Sequence, residues 1–151
     1  MKKTLLIIGI LSGIIFISCS SEDNINESEL LTQKSPWTYN YYEMLNFTEK
    51  GNSDYTKEDA ENNENQSNNG RTLSFNNDGT GSTSIPNGQL SEFNWEIYDQ
   101  DQLKLTFNNG SSNTAKILKI SSAQLVIQVQ EASYDNIADF LVLHEGKIFY
   151  K

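Results

Sequence analysis

From Trp37 onward, apolar residues recur at every second position in a series of short runs, the spacing of strands that bury one face and solvate the other. Leu73 and Phe75 alternate with Thr72 and Ser74, Phe93, Trp95 and Ile97 with Asn94 and Glu96, and Leu103, Leu105 and Phe107 with Lys104 and Thr106. Asn76-Asn77-Asp78-Gly79, Pro86-Asn87-Gly88 and Asp99-Gln100-Asp101 separate these runs. Asn and Gly accept the positive φ of tight hairpins, and Asp and Asn cap turns with their own side chains. The stretch from Arg71 to Phe107 is thus predicted as four short strands joined by tight turns.

The flanking sequence continues this rhythm with two interruptions. Trp37, Tyr39 and Tyr41 alternate with Thr38, Asn40 and Tyr42, and Met44, Leu45 and Phe47 extend a first strand whose period breaks at Leu45, predicting a bend or bulge. Ile117, Leu118 and Ile120 break alternation again, the mark of a bulge or of a strand contacted on both sides. Leu125, Ile127 and Val129 restore the period, and Glu131 to Ala138 reads as a connection. Phe140–Leu143 and Ile148–Tyr150 read as a final hairpin turning at Glu145-Gly146. Residues 35–151 amount to one domain, enough for a single core.

The run Leu-Ser-Phe-Asn-Asn-Asp-Gly-Thr-Gly-Ser beginning at Leu73, followed by Trp95-Glu96-Ile97 and Leu103-Lys104-Leu105-Thr106-Phe107, resembles the small lipocalin-like domains of bacterial lipoproteins. The resemblance covers most of Ser35 to Lys151. It implies an all-β fold, a small antiparallel up-and-down barrel of about eight strands, whose closure removes the open edges that invite aggregation.

The N-terminus carries a different kind of information. Met1-Lys2-Lys3 followed by the apolar run Leu5 to Ile17 has the form of a secretory signal, and the run falls short of the about 20 apolar residues that a spanning helix needs. Phe16-Ile17-Ser18-Cys19 then resembles a bacterial lipobox, which implies a signal peptide at 1–18 and lipidation of Cys19, the only cysteine in the chain. Several acyl chains on one residue hold a protein stably to a bilayer, each buried methylene contributing about 0.8 kcal/mol. A lone cysteine also excludes an internal disulfide. Ser20-Ser21-Glu22-Asp23 resembles the surface-export signal of Bacteroidetes-type lipoproteins, which implies attachment to the outer membrane and display at the cell surface, with the periplasmic face as the other location. Residues 19–34 read as an acidic, flexible tether, in which Leu30 and Leu31 either travel with the tether or form a short turn that plugs one end of the barrel.

Between the first two predicted strands lies an acidic, asparagine-rich insert, about residues 49–70. With few apolar residues beyond Tyr55 and Ala60, it is expected to stay a disordered loop with at most a frayed helical turn near Thr56 to Glu61. Its carboxylates lack the alternating spacing and central glycine of a calcium loop. The formal net charge of −9 comes largely from the tether and this insert. A chain this acidic with no basic stripe is not expected to bind nucleic acid, whose phosphates demand clustered Lys and Arg.

Candidate chemistry is sparse. His144, the only histidine, sits beside a predicted turn and reads as an exposed strand end, with no second histidine for a common zinc set. Asp99 and Asp101 share a turn where both would be solvated, and Gly79 and Gly81 join strands rather than opening a phosphate-binding helix. No enzyme, metal site or cofactor is expected. Two binding readings remain. In one, the barrel holds a small apolar or amphipathic molecule, which about eight strands just allow, and Trp37, Tyr39, Phe75, Phe93, Trp95, Ile97, Leu103, Leu105 and Phe107 are the candidates to line it. In the other, the barrel is filled by its own side chains and its outside binds a surface protein or glycan. The abundance of Phe, Trp and Leu at inward positions favours a filled or narrow interior, and the family resemblance favours a carrier.

Overall fold

The computed structural model describes residues 26–50, 54–84, 88, 90–135 and 140–151. The expected signal peptide, Cys19, the Ser20–Asp23 segment and Pro86-Asn87 lie outside these residues. Eight antiparallel strands in sequence order close into an up-and-down barrel: β1 (Trp37–Lys50), β2 (Thr72–Phe75), β3 (Thr80–Ser84), β4 (Ser91–Tyr98), β5 (Gln102–Phe107), β6 (Ser112–Ile120), β7 (Leu125–Asp135) and β8 (Phe140–Tyr150), with β8 pairing back to β1. Among the described residues two helices accompany them, α1 (Glu27–Gln33) and α2 (Lys57–Asn68).

The hairpins follow the turn chemistry. Gly79 takes φ +81° and donates its N–H to Asn76 O at 3.2 Å, while Asp78 Oδ1 accepts from Thr80 N at 3.0 Å. Asp99 and Gln100 both adopt positive φ in the three-residue connection between the paired Tyr98 and Gln102. Register shifts occur between Met44 and Asn46 and between Ile117 and Lys119, the two places where the apolar period breaks. A further shift between Tyr39 and Tyr41 turns Tyr42 and Met44 into the core and leaves Tyr41 outside, stacked on Phe149 with ring centroids 4.1 Å apart.

The final hairpin is not where alternation alone suggests. β8 runs unbroken through Glu145 and Gly146, and β7 continues past Val129 to Asp135, so Glu145-Gly146 is not a turn. Gly146 serves a close approach rather than a turn: the Tyr42 ring crosses its backbone, and a Cβ there would overlap that ring. Gly81 plays the same part beneath Phe93.

One end of the barrel is closed by α1. Asn26 caps this helix by accepting from Ser28 N, Leu31 is fully buried, and the Leu31 carbonyl accepts from Trp37 Nε1 at 2.9 Å. The segment expected as a flexible tether therefore includes a plug, the second of the two readings of Leu30-Leu31. At the same end, Thr38 and Lys151 exchange both backbone hydrogen bonds at 2.9 Å, tying down the C-terminus.

The insert at 49–70 departs further from expectation. β1 extends to Lys50, and residues 57–68 form α2 instead of a disordered loop. Thr56 and Asp59 make a reciprocal capping box, with Thr56 Oγ1 accepting from Asp59 N at 3.1 Å and Asp59 Oδ2 from Thr56 N at 3.0 Å. The helix docks through hydrogen bonds rather than through apolar area, which is why a count of apolar residues misses it. β2 is only four residues long, so it pairs with β1 at Trp37 and Thr38 and leaves the rest of that edge bare. Lys57, Glu61 and Asn65, spaced by four on one helical face, cover the edge. Lys57 Nζ reaches Leu45 O at 3.5 Å, Glu61 Oε2 accepts from Met44 N at 2.8 Å, and Asn65 Oδ1 accepts from Tyr42 N at 2.8 Å and from Tyr39 Oη at 2.9 Å.

Asn65→Ala should therefore cost about 1–3 kcal/mol, because it leaves the Tyr42 amide and the Tyr39 hydroxyl without their acceptor. Urea unfolding measures this, and a loss within error of zero would mean that α2 does not close the seam. Gly146→Ala should destabilise by about 1–3 kcal/mol through collision with the Tyr42 ring. The same unfolding curves report it, and a neutral change would show that the ring can move aside freely.

Candidate functional site

The barrel interior is divided. On the β2–β4 side it is filled by aromatic rings: Phe75 meets Phe93 at 5.7 Å and Trp95 edge-on at 5.5 Å between centroids. Such edge-to-face arrangements satisfy the ring quadrupoles while packing large areas. On the β5–β8 side Leu, Ile, Val and Ala predominate, with Phe107 and Tyr150 among them, and a cavity of about 580 Å³ remains there. That volume lies within the about 300–1,000 Å³ range of small-molecule pockets.

The cavity has an apolar wall and a polar mouth. Leu103, Leu105, Ala115, Ile127, Val129 and Ile148 supply the wall. Arg71, Thr83, Asn113 and Glu131, at the end of the barrel opposite α1, supply the polar groups. Arg71 is the only arginine in the chain, and its Nε is buried with no hydrogen-bond partner among the described residues. Tyr150 forms part of the same lining and meets Tyr39 edge-on at 6.1 Å. Burial raises the pKa of both phenols, Tyr39 to about 12, so both remain neutral donors at physiological pH.

Three of the nine residues expected to line a ligand site, Leu103, Leu105 and Phe107, do line this cavity. The other six lie outside its lining. Trp37 is buried at the base under α1, and Tyr39 is engaged by Asn65. Phe75 and Phe93 belong to the aromatic side, as does Trp95, whose Nε1 donates to Thr80 O at 3.0 Å. Ile97 packs partly buried against the core. Ile127 and Val129 were legible from alternation; Glu131, expected to begin a connection, lies within β7 and continues the same inward period from Leu125, and a charged residue at that period is the signal that could have marked it. Arg71 stands at the end of the insert, and no local pattern marks it.

Glu131 also belongs to a second arrangement. It pairs in register with His144 on β8, and Glu64 reaches both from α2. His144 is not an exposed strand end: it is 7% exposed, with Nδ1 2.9 Å from Tyr42 Oη and Nε2 3.8 Å from Glu64 Oε1. The single-strand course of β8 explains the difference, since it places His144 mid-strand on the inner face. Glu131 lines the cavity and is open to solvent there. Desolvation and then the Glu64 charge push its pKa up, against smaller opposing effects of His144 and Arg71.

No protein-family model matches this chain, and no curated protein shows significant sequence similarity to it.

The raised Glu131 pKa has a defined consequence for stability. The folded chain holds the Glu131 proton to higher pH than the unfolded chain, so this group disfavours folding increasingly as pH rises from the ordinary value of 4.5 through its raised folded value. In metal-free buffer Glu131→Gln should raise the melting temperature at pH 7, and the gain should disappear below about pH 4. A gain of equal size at both pH values would rule out the carboxylate charge as its source.

Proposed function

We propose that this protein is a lipid-anchored binding protein whose barrel takes up a small amphipathic molecule, with the apolar part against the β5–β8 wall and an acidic group at Arg71. The observation that carries this reading is the cavity itself, with an aliphatic wall on one side, polar side chains over the rest of its lining, and one guanidinium whose buried Nε has no partner among the described residues. A buried donor without an acceptor costs about 1–3 kcal/mol, which a ligand carboxylate or phosphate would recover. The cavity favours the carrier reading over a barrel filled by its own side chains, because most of the aromatic residues that suggested filling, Phe107 apart, are gathered on one side. The finer likeness to lipocalin-like domains of bacterial lipoproteins belongs to this proposal, as do lipidation at Cys19 and display on the outer membrane at the cell surface. In this reading the acidic segment after Cys19 and the net charge of −9 keep the domain clear of anionic lipid.

The test is native mass spectrometry of the full chain extracted in detergent, paired with titration of a fluorescent long-chain carboxylate. A reproducible added mass and saturable probe binding are expected. Ala115→Phe, which fills the cavity, should abolish both, and Arg71→Ala should weaken the probe by about 10–100-fold, the range of a lost charge-assisted hydrogen bond. Binding that survives Ala115→Phe, or an apo mass with no probe uptake, would overturn the carrier reading. Binding lost in Ala115→Phe but unchanged in Arg71→Ala would overturn only the assignment of an acidic head group.

A further inference from the structure

The cluster of Glu64, Glu131 and His144 draws on three separate elements. Glu131 and His144 are cross-strand partners on β7 and β8. Glu64 is held above them because Ala60, Glu64 and Asn68 fall four apart on one face of α2, with Ala60 and Asn68 buried. One carboxylate oxygen from each glutamate and a ring nitrogen of His144 lie within 4.8 Å of one another.

The imidazole is well positioned for ligation. Its side chain is 4% exposed, and its Nδ1 is engaged by Tyr42 Oη at 2.9 Å, a hydroxyl whose pKa burial raises further. The Tyr42 ring stands edge-on to His144 at 5.9 Å and is itself seated over Gly146. With Nδ1–H donating to Tyr42 Oη, Nε2 directs its lone pair toward the two carboxylates. At 3.8 Å, Nε2 and Glu64 Oε1 are too far apart for a hydrogen bond but face each other across the space an ion would fill. Glu64 is steadied by Asn68 Nδ2, 3.0 Å from Glu64 Oε2. Two carboxylates brought together beside a nearly buried imidazole repel each other, and a cation between them reverses that cost.

We propose that Glu64, Glu131 and His144 bind one divalent cation of the zinc class, through His144 Nε2 and one oxygen of each carboxylate. A tetrahedral ion with bonds of about 2.0–2.2 Å needs donors about 3.3–3.6 Å apart, so side-chain adjustments of roughly an ångström complete the set. An imidazole with two carboxylates suits zinc and its transition-metal neighbours, whereas calcium and magnesium favour all-oxygen sets. Three protein ligands leave a fourth position for water or for a group entering the cavity, whose lining Glu131 shares. Tyr42 is the positioning residue that fixes the ring and its tautomer. The ion ties α2 to β7 and β8, strengthening the seam that the helix already closes.

The site stands independently of the ligand reading and is tested with Zn²⁺ alone, using the full chain in detergent and competition against a chromogenic chelator. One Zn²⁺ per chain is expected, with Ca²⁺ and Mg²⁺ unable to displace it. His144→Gln, Glu64→Gln and Glu131→Gln should each weaken binding at least 100-fold while the metal-free variants keep the far-UV circular dichroism of the parent. If His144→Gln fails to fold, Glu131→Gln, whose carboxylate faces the cavity, still decides the matter. Tyr42→Phe should weaken binding about tenfold, the lower end of what loss of a histidine's outer partner costs. No Zn²⁺ uptake, uptake unaffected by the glutamine substitutions, or displacement by Ca²⁺ at equal concentration would overturn the proposal.

Discussion

A strand of fourteen residues beside a strand of four leaves a row of backbone groups without neighbours, and the rest of this barrel depends on how that row is satisfied. An unpaired amide buried at a seam costs as much as a lost hydrogen bond, and an open edge invites pairing with another chain. The solution here is a helix acting in place of a strand. Lys57, Glu61 and Asn65 present side-chain donors and acceptors at the spacing of successive turns and meet the Leu45 carbonyl and the Met44 and Tyr42 amides. Because α2 must lie along this edge, its next face turns inward. That is what carries Glu64 to His144 and Glu131.

The two ends and two sides of the barrel are unlike for related reasons. The end under α1 is sealed by Leu31 and by Trp37, whose indole N–H is satisfied by the helix carbonyl. The other end keeps its polar groups, Arg71 and Glu131 among them, around a mouth. Across the barrel, edge-to-face rings fill the β2–β4 side, where Gly81 has no side chain to obstruct Phe93. The opposite wall is built mainly of branched aliphatic residues and Ala115, with Phe107 and Tyr150 beside them, and space remains between them.

Errors in reading the chain have identifiable causes. Gly146 suggested a turn because glycine serves both turns and close approaches, and only the Tyr42 ring lying across it distinguishes the two. That one glycine also misplaced His144, moving it in expectation from an inner mid-strand position to an exposed corner. The insert looked too polar to fold because its attachment is made by hydrogen bonds to an edge whose existence depends on the shortness of β2, a property of pairing between distant segments. The Thr56–Asp59 capping box was the local sign of the helix, and Glu131 at an inward period was the local sign of the site.

The positions of β2 to β6, the turns at Gly79 and Asp99-Gln100 and the bulges at Leu45 and Leu118 were determined by the sequence itself. Each rests on interactions within a few residues: side-chain alternation, tolerance of positive φ, and breaks in the apolar period. Only the tertiary structure decided that α2 forms and docks, that β8 passes through Gly146, that the interior is open on one side, and that Glu64, Glu131 and His144 meet. Those outcomes depend on contacts between residues dozens of positions apart, where packing and hydrogen-bond satisfaction act on geometry that no local pattern records.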